Sequence, residues 1–292
     1  MTTNLPIVKS PIISCSRRTD IPAFLMDWVI EKIKIGYVDV VNPFNRKQLS
    51  RVSLKPEDVK SWVWWSKNFD SWIEYYINFE DLFNVYKGHY FQFTINSPSE
   101  LEPNVKISLE KRFKQLEWLI NKFGTQVISY RFDPIILYRN KDSDEIKSNI
   151  TKFEYIIENV ASFGLEEMIF SIATIYPKVK NRMMKRGKIP IDLNSKKRIE
   201  LINKLKKICD KYNMKMKACC QPDLLEIEGI EQAHCIDANK IEKIVGEAIP
   251  KIRDTGQRES CGCYKSKDIG GYSGIFRCQH SCDYCYASPA KR

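Results

Sequence analysis

Seven short apolar runs, rich in β-branched and aromatic residues, recur over the first 220 residues of this 292-residue chain, most of them separated by stretches with helical periodicity. They are Pro11–Ser14 (PIIS), Tyr37–Val41 (YVDVV), Trp62–Trp65 (WVWW), Tyr90–Ile95 (YFQFTI), Val127–Phe132 (VISYRF), Met168–Thr174 (MIFSIAT) and Met214–Cys219 (MKMKAC). Short runs bounded by turn residues read as buried strands, and a helix between consecutive strands makes a parallel crossover. That alternation leaves few folds open. The expected fold class is α/β, a TIM-like (β/α) barrel or partial barrel. Expected helices are Pro22–Ile35, Ile107–Phe123, Ser143–Phe163 and Ser195–Tyr212; Gly36, Gly124 and Gly164 follow three of them as C-cap residues.

In folds of this class the chemistry collects at the C-terminal ends of the strands. Those ends carry Arg17, Arg18 and Asp20, then Asn42 and Asn45, Lys67 and Asn68, Thr94 and Asn96, Tyr130, Arg131 and Asp133, Ser171 and Thr174, and finally Cys219 and Cys220. Arg17, Asp20, Lys67, Arg131 and Asp133 are the candidate catalytic residues, suited to binding a carboxylate, a phosphate or a substrate hydroxyl. An Arg–Asp pair at such a place also serves structure alone. Asn42 is a candidate cofactor contact.

After residue 247 the pattern changes. The segment 248–292 is rich in Gly, Ser and Cys and has no helical period, so its order must come from something it binds, while 1–247 forms the expected α/β domain. Of ten cysteines nine follow residue 200. The start, MTTNLPIVKS, lacks a signal-peptide pattern, and no run approaches the roughly 18 apolar residues of a membrane span. The expectation is therefore a cytoplasmic protein with no membrane partner, in which clustered cysteines are thiols held by metal rather than disulfides. A net charge of +11 favours polyanions or anionic cofactors, though much of it sits in lysine-rich runs that read as solvated helix faces.

Cys278, Cys282 and Cys285 stand in C-x3-C-x2-C order within CQHSCDYC. Such a loop can wrap a cubane cluster and leave one iron without a local protein ligand. A zinc site completed by His280 or Cys263 is the competing reading. Cys219, Cys220, Cys235, Cys261 and Cys263 make a second set, suited to an auxiliary iron–sulfur cluster or a four-thiolate zinc site. Cys15 and Cys209 read as small buried apolar residues, and His280 as an exposed loop residue. Gly270 and Gly271 would let the backbone come close to a cofactor, and Tyr284 either stacks on an adenine or packs the loop.

The triplet, with Tyr284 just before its last cysteine, resembles the signature of the radical S-adenosylmethionine (radical SAM) superfamily. SRRTDIPAF, YRFDPI and CGCYKSKDIGGY...CQHSCDYCYA together resemble a bacterial family of unknown function whose terminal cysteine cluster is similar to that motif. The resemblance implies a [4Fe–4S] cluster on Cys278, Cys282 and Cys285, S-adenosyl-L-methionine as co-substrate, flavodoxin or ferredoxin as electron donor, and a small-molecule or nucleic-acid substrate. Radical SAM enzymes carry this loop after their first strand. Here it must reach the barrel mouth from the C-terminal side. The alternative function is a zinc- or iron–sulfur-stabilised nucleic-acid-binding protein without radical activity.

Overall fold

The computed structural model describes residues 5–43, 45 and 47–287. Its centre is an eight-stranded sheet made of β1 (Ile12–Cys15), β2 (Ser61–Ser66), β3 (Gly88–Thr94), β4 (Ile128–Ile135), β5 (Glu167–Ile172), β6 (Lys215–Ala218), β7 (Ile230–Gln232) and β8 (Lys267–Asp268). Every neighbouring pair is parallel, and the spatial order is β7-β6-β5-β4-β3-β2-β1-β8. Strands one to seven therefore lie side by side in chain order, and the last returns beside the first. Among the described residues no ladder joins β7 to β8, which leaves these two as the edge strands of the sheet.

The crossovers are helical for a physical reason: parallel neighbours cannot be joined by a tight turn. A single turn at Ile21–Phe24 and α1 (Met26–Ile35) follow β1, α2 (Asp70–Asn78) follows β2, and α3 (Leu109–Phe123) follows β3. Next come α4 (Phe153–Ser162), α5 (Pro177–Lys185), α6 (Ser195–Lys211) and α7 (Ala238–Val245). Caps are local and readable. Ser108 accepts from Lys111 N at 3.2 Å to start α3, Asn194 accepts from Lys197 N at 3.0 Å to start α6, and Gly36 ends α1 at φ +84°.

Two expectations need correction. Tyr37–Val41 is a strand, but it belongs to a separate three-stranded sheet with Ile7–Val8 and Leu49–Ser53. Its buried and exposed residues alternate, as befits a one-sided antiparallel pair rather than a strand covered on both faces. The helix expected from Ser143 begins only at Phe153; Lys147–Ser148 instead pairs antiparallel with Leu137–Asn140. Buried Asn149 holds that turn, accepting from Ile136 N at 2.9 Å and donating to Pro134 O at 2.8 Å, which a helical backbone would forbid.

Aromatic residues fill one face of the sheet: Trp62, Trp64, Phe91, Phe93, Tyr130, Phe132 and Phe170 are buried in register on it, while Ile12, Val63, Tyr90 and Ile169 are buried on the other. Trp62 and Trp64 stack at 5.0 Å, and His89 lies among them, its Nδ1 accepting from Trp64 Nε1 at 3.1 Å. Burial lowers the His89 pKa to about 4, so the ring is neutral. None of the described helices is long and apolar enough to cross a membrane.

Candidate metal centre

The C-terminal ends of β1 to β8 face one side of the sheet, and both cysteine sets gather there. The loop from Cys278 to Cys285 is folded back onto it. Asp283 N donates to Leu101 O at 2.8 Å, and Asn104 Nδ2 donates to Gln279 O at 2.7 Å. The buried Asp283 carboxylate meets Lys188 Nζ at 3.2 Å and the Arg186 guanidinium, while Arg182 donates to the carbonyls of Asp283 and Cys285. Ser281 takes φ +51°, the left-handed turn that folds the loop between its cysteines. Cys282 packs with Leu101, Ile136, Tyr138, Val179 and Met183, and Cys285 borders the same cluster.

Beneath the loop lies a buried polar network. Glu102 accepts from Lys67 Nζ at 3.0 Å, from Asn96 Nδ2 at 3.0 Å and from the Tyr284 hydroxyl. Burial alone would push the Glu102 carboxyl up, yet Lys67, Tyr284 and Asn96 outweigh it and hold the pKa below its ordinary value. Asp20 accepts from Ser66 Oγ at 2.7 Å, Lys67 N at 2.9 Å and Ala23 N at 3.1 Å, and it pairs with His280 Nε2 at 2.8 Å. His280 is thus buried, contrary to the exposed loop residue expected, because Asp20 recruits it from 260 positions away. Its Nδ1 has no hydrogen-bond partner among the described residues.

Burial pushes the Cys278 thiol up to about 12, and the Cys282 and Cys285 thiols rise for the same first reason. Three half- to fully buried thiols thus sit on one loop, and burial holds each of them in the protonated form. Among the described residues no group of three or more His, Cys, Asp or Glu side chains stands ready to hold a single metal ion.

The second set lies where β6 and β7 end and where the chain approaches β8. Cys219 Sγ is 3.4 Å from Cys235 Sγ and 4.0 Å from Cys220 Sγ. Cys261 lies within electrostatic reach of Cys220, and Cys263 within that of Cys235 and Cys261. Arg131 Nη1 donates to Cys235 Sγ at 2.9 Å and to Gln92 Oε1 at 3.2 Å; its Nη2 pairs with Asp133, which also accepts from Ser171 Oγ. Arg17 pairs with Asp254 at 3.2 Å and lies over the Trp65 ring, and Tyr286 donates to Arg17 O at 3.0 Å.

The expected site residues therefore divide in space. Lys67, Asp20 and Tyr284 belong to the first loop's network, whereas Arg17, Arg131 and Asp133 flank the second thiols. Asn42 belongs to neither: it ends a strand of the small sheet, its Nδ2 2.7 Å from Gln48 Oε1. Gly270 and Gly271 serve close packing. A Cβ on Gly270 would lie 2.1 Å from Ser16 Oγ, and one on Gly271 would lie 2.9 Å from the Phe276 ring. Glu102, Asp268, Arg182, Arg186 and Lys188 were not anticipated. Their signal was absent because each acts through partners about 35 to 250 residues away.

A protein-family model described as Domain of unknown function (DUF1848) matches residues 12–287, a span that contains both cysteine sets. No curated protein and no solved structure matches the chain.

Proposed function

The chain belongs to the DUF1848 family, and from that premise we propose that it is a radical SAM-type iron–sulfur enzyme with a barrel-like α/β fold, its catalytic cluster on Cys278, Cys282 and Cys285. One observation carries the reading: a single loop offers one buried and two half-buried thiols at the C-terminal ends of a parallel sheet, directly over the Lys67–Glu102 pair. A barrel-like closure is supported by the strand order, which follows the chain around from β1 to β7 and back to β8.

When bound, a [4Fe–4S] cluster with an open iron supplies the electron that breaks a carbon–sulfur bond of S-adenosylmethionine, itself drawn from flavodoxin or ferredoxin. The chain's own residues do the rest. Arg182, Arg186 and Lys188 fix the loop backbone through Asp283 and the carbonyls beside it, and Asp20 fixes it through His280. Lys67 offers an ammonium for a carboxylate and Glu102 a carboxylate for an ammonium, the pairing that an amino acid zwitterion presents. The apolar wall of Leu101, Ile136 and Val179 keeps water from the reacting radical.

The test is anaerobic reconstitution with iron and sulfide, reduction with dithionite, and measurement of 5′-deoxyadenosine and methionine formed from S-adenosylmethionine. Wild type should form both, and Cys282→Ala neither. A fully loaded wild type that cleaves none of the co-substrate overturns the reading.

A further inference from the structure

We infer that Cys219 and Cys235 form a reversible redox dithiol, a modification site that small disulfides such as oxidised glutathione convert to a disulfide. This goes beyond the function proposed above and does not rest on it. The first observation is distance. Cys219 Sγ lies 3.4 Å from Cys235 Sγ. A disulfide bond spans about 2.05 Å, so the two sulfurs need to approach by only about 1.4 Å, within reach of a small change in side-chain torsion. Cys220 Sγ, at 4.0 Å from Cys219 Sγ, belongs to the next residue in the chain, and adjacent cysteines close only a small, strained ring.

The second observation is that backbone pairing holds the two sulfurs together. β6 and β7 run parallel, with Ala218 opposite Gln232 as their last pair. Strands so paired lie about 4.8 Å apart, inside the range of about 4.4–6.8 Å between Cα atoms that a disulfide accepts. Beyond that pair both segments stay fixed. Ala233 N donates to Ala218 O at 2.9 Å, Cys219 N donates to Phe170 O at 2.8 Å, and Tyr264 N donates to Ile236 O at 3.0 Å, one residue after Cys235. Two thiols held in this way react with each other as parts of one molecule, which favours closure over a lasting mixed disulfide with a small thiol.

Exposure divides the roles. Cys219 is half-buried and meets the oxidant; Cys235 is buried, and Arg131 Nη1 donates to its Sγ at 2.9 Å. A guanidinium fixed against a buried sulfur supplies the charge partner that a thiolate needs there. Cys219 gives up its proton and attacks one sulfur of the small disulfide, forming a mixed disulfide and expelling one small thiolate. Cys235 then loses its proton, attacks Cys219 Sγ and expels the second. In sum two S–H bonds of the protein are exchanged for one S–S bond, and the oxidant is reduced to two thiols; excess thiol runs the exchange backwards. The bond would fasten the edge strand β7 to β6 beside Arg131 and its partners Gln92 and Asp133.

The experiment equilibrates the full-length chain, first reduced and freed of reductant, in glutathione buffers running from fully reduced to fully oxidised. Free thiols are then alkylated, and the chain is cut after lysine and glutamate for mass spectrometry. Those cuts leave Cys219 and Cys220 in Ala218–Glu226 and Cys235 in Gln232–Lys240. The two peptides are expected to be joined in oxidised buffer and separate in reduced buffer, both in wild type and in Cys220→Ser. They should stay separate throughout in Cys219→Ser and Cys235→Ser. Folded wild type in which both thiols remain open to alkylation in oxidised buffer overturns the inference. So does a bond to Cys261 or Cys263 instead, a bond that excess glutathione does not reopen, or joining that persists in Cys219→Ser through Cys220. Should a serine variant fail to fold, as judged by circular dichroism, fragmentation of the joined wild-type peptides assigns the bond: Cys219 supports the site and Cys220 overturns it. Cleavage of S-adenosylmethionine enters none of these readings, so failure of the proposed function would leave this site standing.

Discussion

Three buried ionisable residues near the sheet make predictions that separate structure from chemistry. Asp20 ends four hydrogen bonds, from Ser66, Lys67 N, Ala23 N and His280. Asp20→Ala removes the acceptor of all four, though Ser66 can turn to Asn68 O, and should cost about 3 kcal/mol in urea unfolding; a midpoint unchanged from wild type would mean the network is dispensable. Glu102 is held below its ordinary pKa, so its contribution is present above about 4.3 and is lost as pH falls through the folded value. Glu102→Gln should therefore be less stable than wild type at pH 7, and the gap should narrow on acidification below pH 4.3 or so. His89 behaves with the same sign for another reason. Its ring stays neutral down to about 4 against an ordinary 6.5, so protonation of the unfolded chain removes stability as pH drops from 6.5 to about 4. That loss is on the order of 3 kcal/mol for this fully buried group and should vanish in His89→Gln, read from unfolding curves across that window. Arg17, Lys67, Arg131 and Asp133 were visible in the sequence as polar residues after apolar runs. Which thiols each one serves was not, since that depends on neighbours brought in by other strands.

At the scale of elements, the two-residue strand β8 shows how little local signal a decisive element can carry. Lys267–Asp268 has no periodicity to read. It is fixed by one carboxylate: Asp268 accepts from Ser14 Oγ at 3.0 Å, Ser16 Oγ at 2.8 Å, Arg17 N at 2.8 Å and Gly270 N at 3.0 Å. Asp268→Ala should release the tail from β1, so that limited proteolysis cuts between residues 248 and 268 and the iron uptake proposed for the Cys278–Cys285 loop falls; Asp268→Asn, which keeps an acceptor oxygen, should fall between. Uptake and cleavage like wild type would show that β8 is held by other means. The long helices were legible for the opposite reason. The starts of α3 and α6, at Ser108 and Asn194, are set by caps within three residues, so local sequence suffices. The stretch from Ser143 was misread because Asn149 bonds backward to Pro134 and Ile136, a tertiary demand that overrides helix-forming residues.

Across the whole molecule, the tail packs against the α/β body. Ile269 is buried in the main core, and its N donates to Ser14 O at 3.0 Å. A chain cut after residue 247 would bare β1 as a sheet edge, and we expect it to be insoluble or to lack a cooperative unfolding transition. A soluble, cooperatively folding 1–247 fragment would instead make 248–292 a separable module. Some of the lysines are paired locally, as in Lys206–Asp210, Lys211–Glu154 and Lys217–Glu167. What the sequence by itself determined is what short-range physics can decide: buried parallel strands, capped helices, and three thiols on one short loop. Only the tertiary structure decided that Cys219, Cys220 and Cys235 meet at the ends of β6 and β7, and that Glu102, Asp20 and Asp283 anchor the loop. Those contacts join residues far apart in the chain, and no local spacing encodes a distance that exists only after the sheet has assembled.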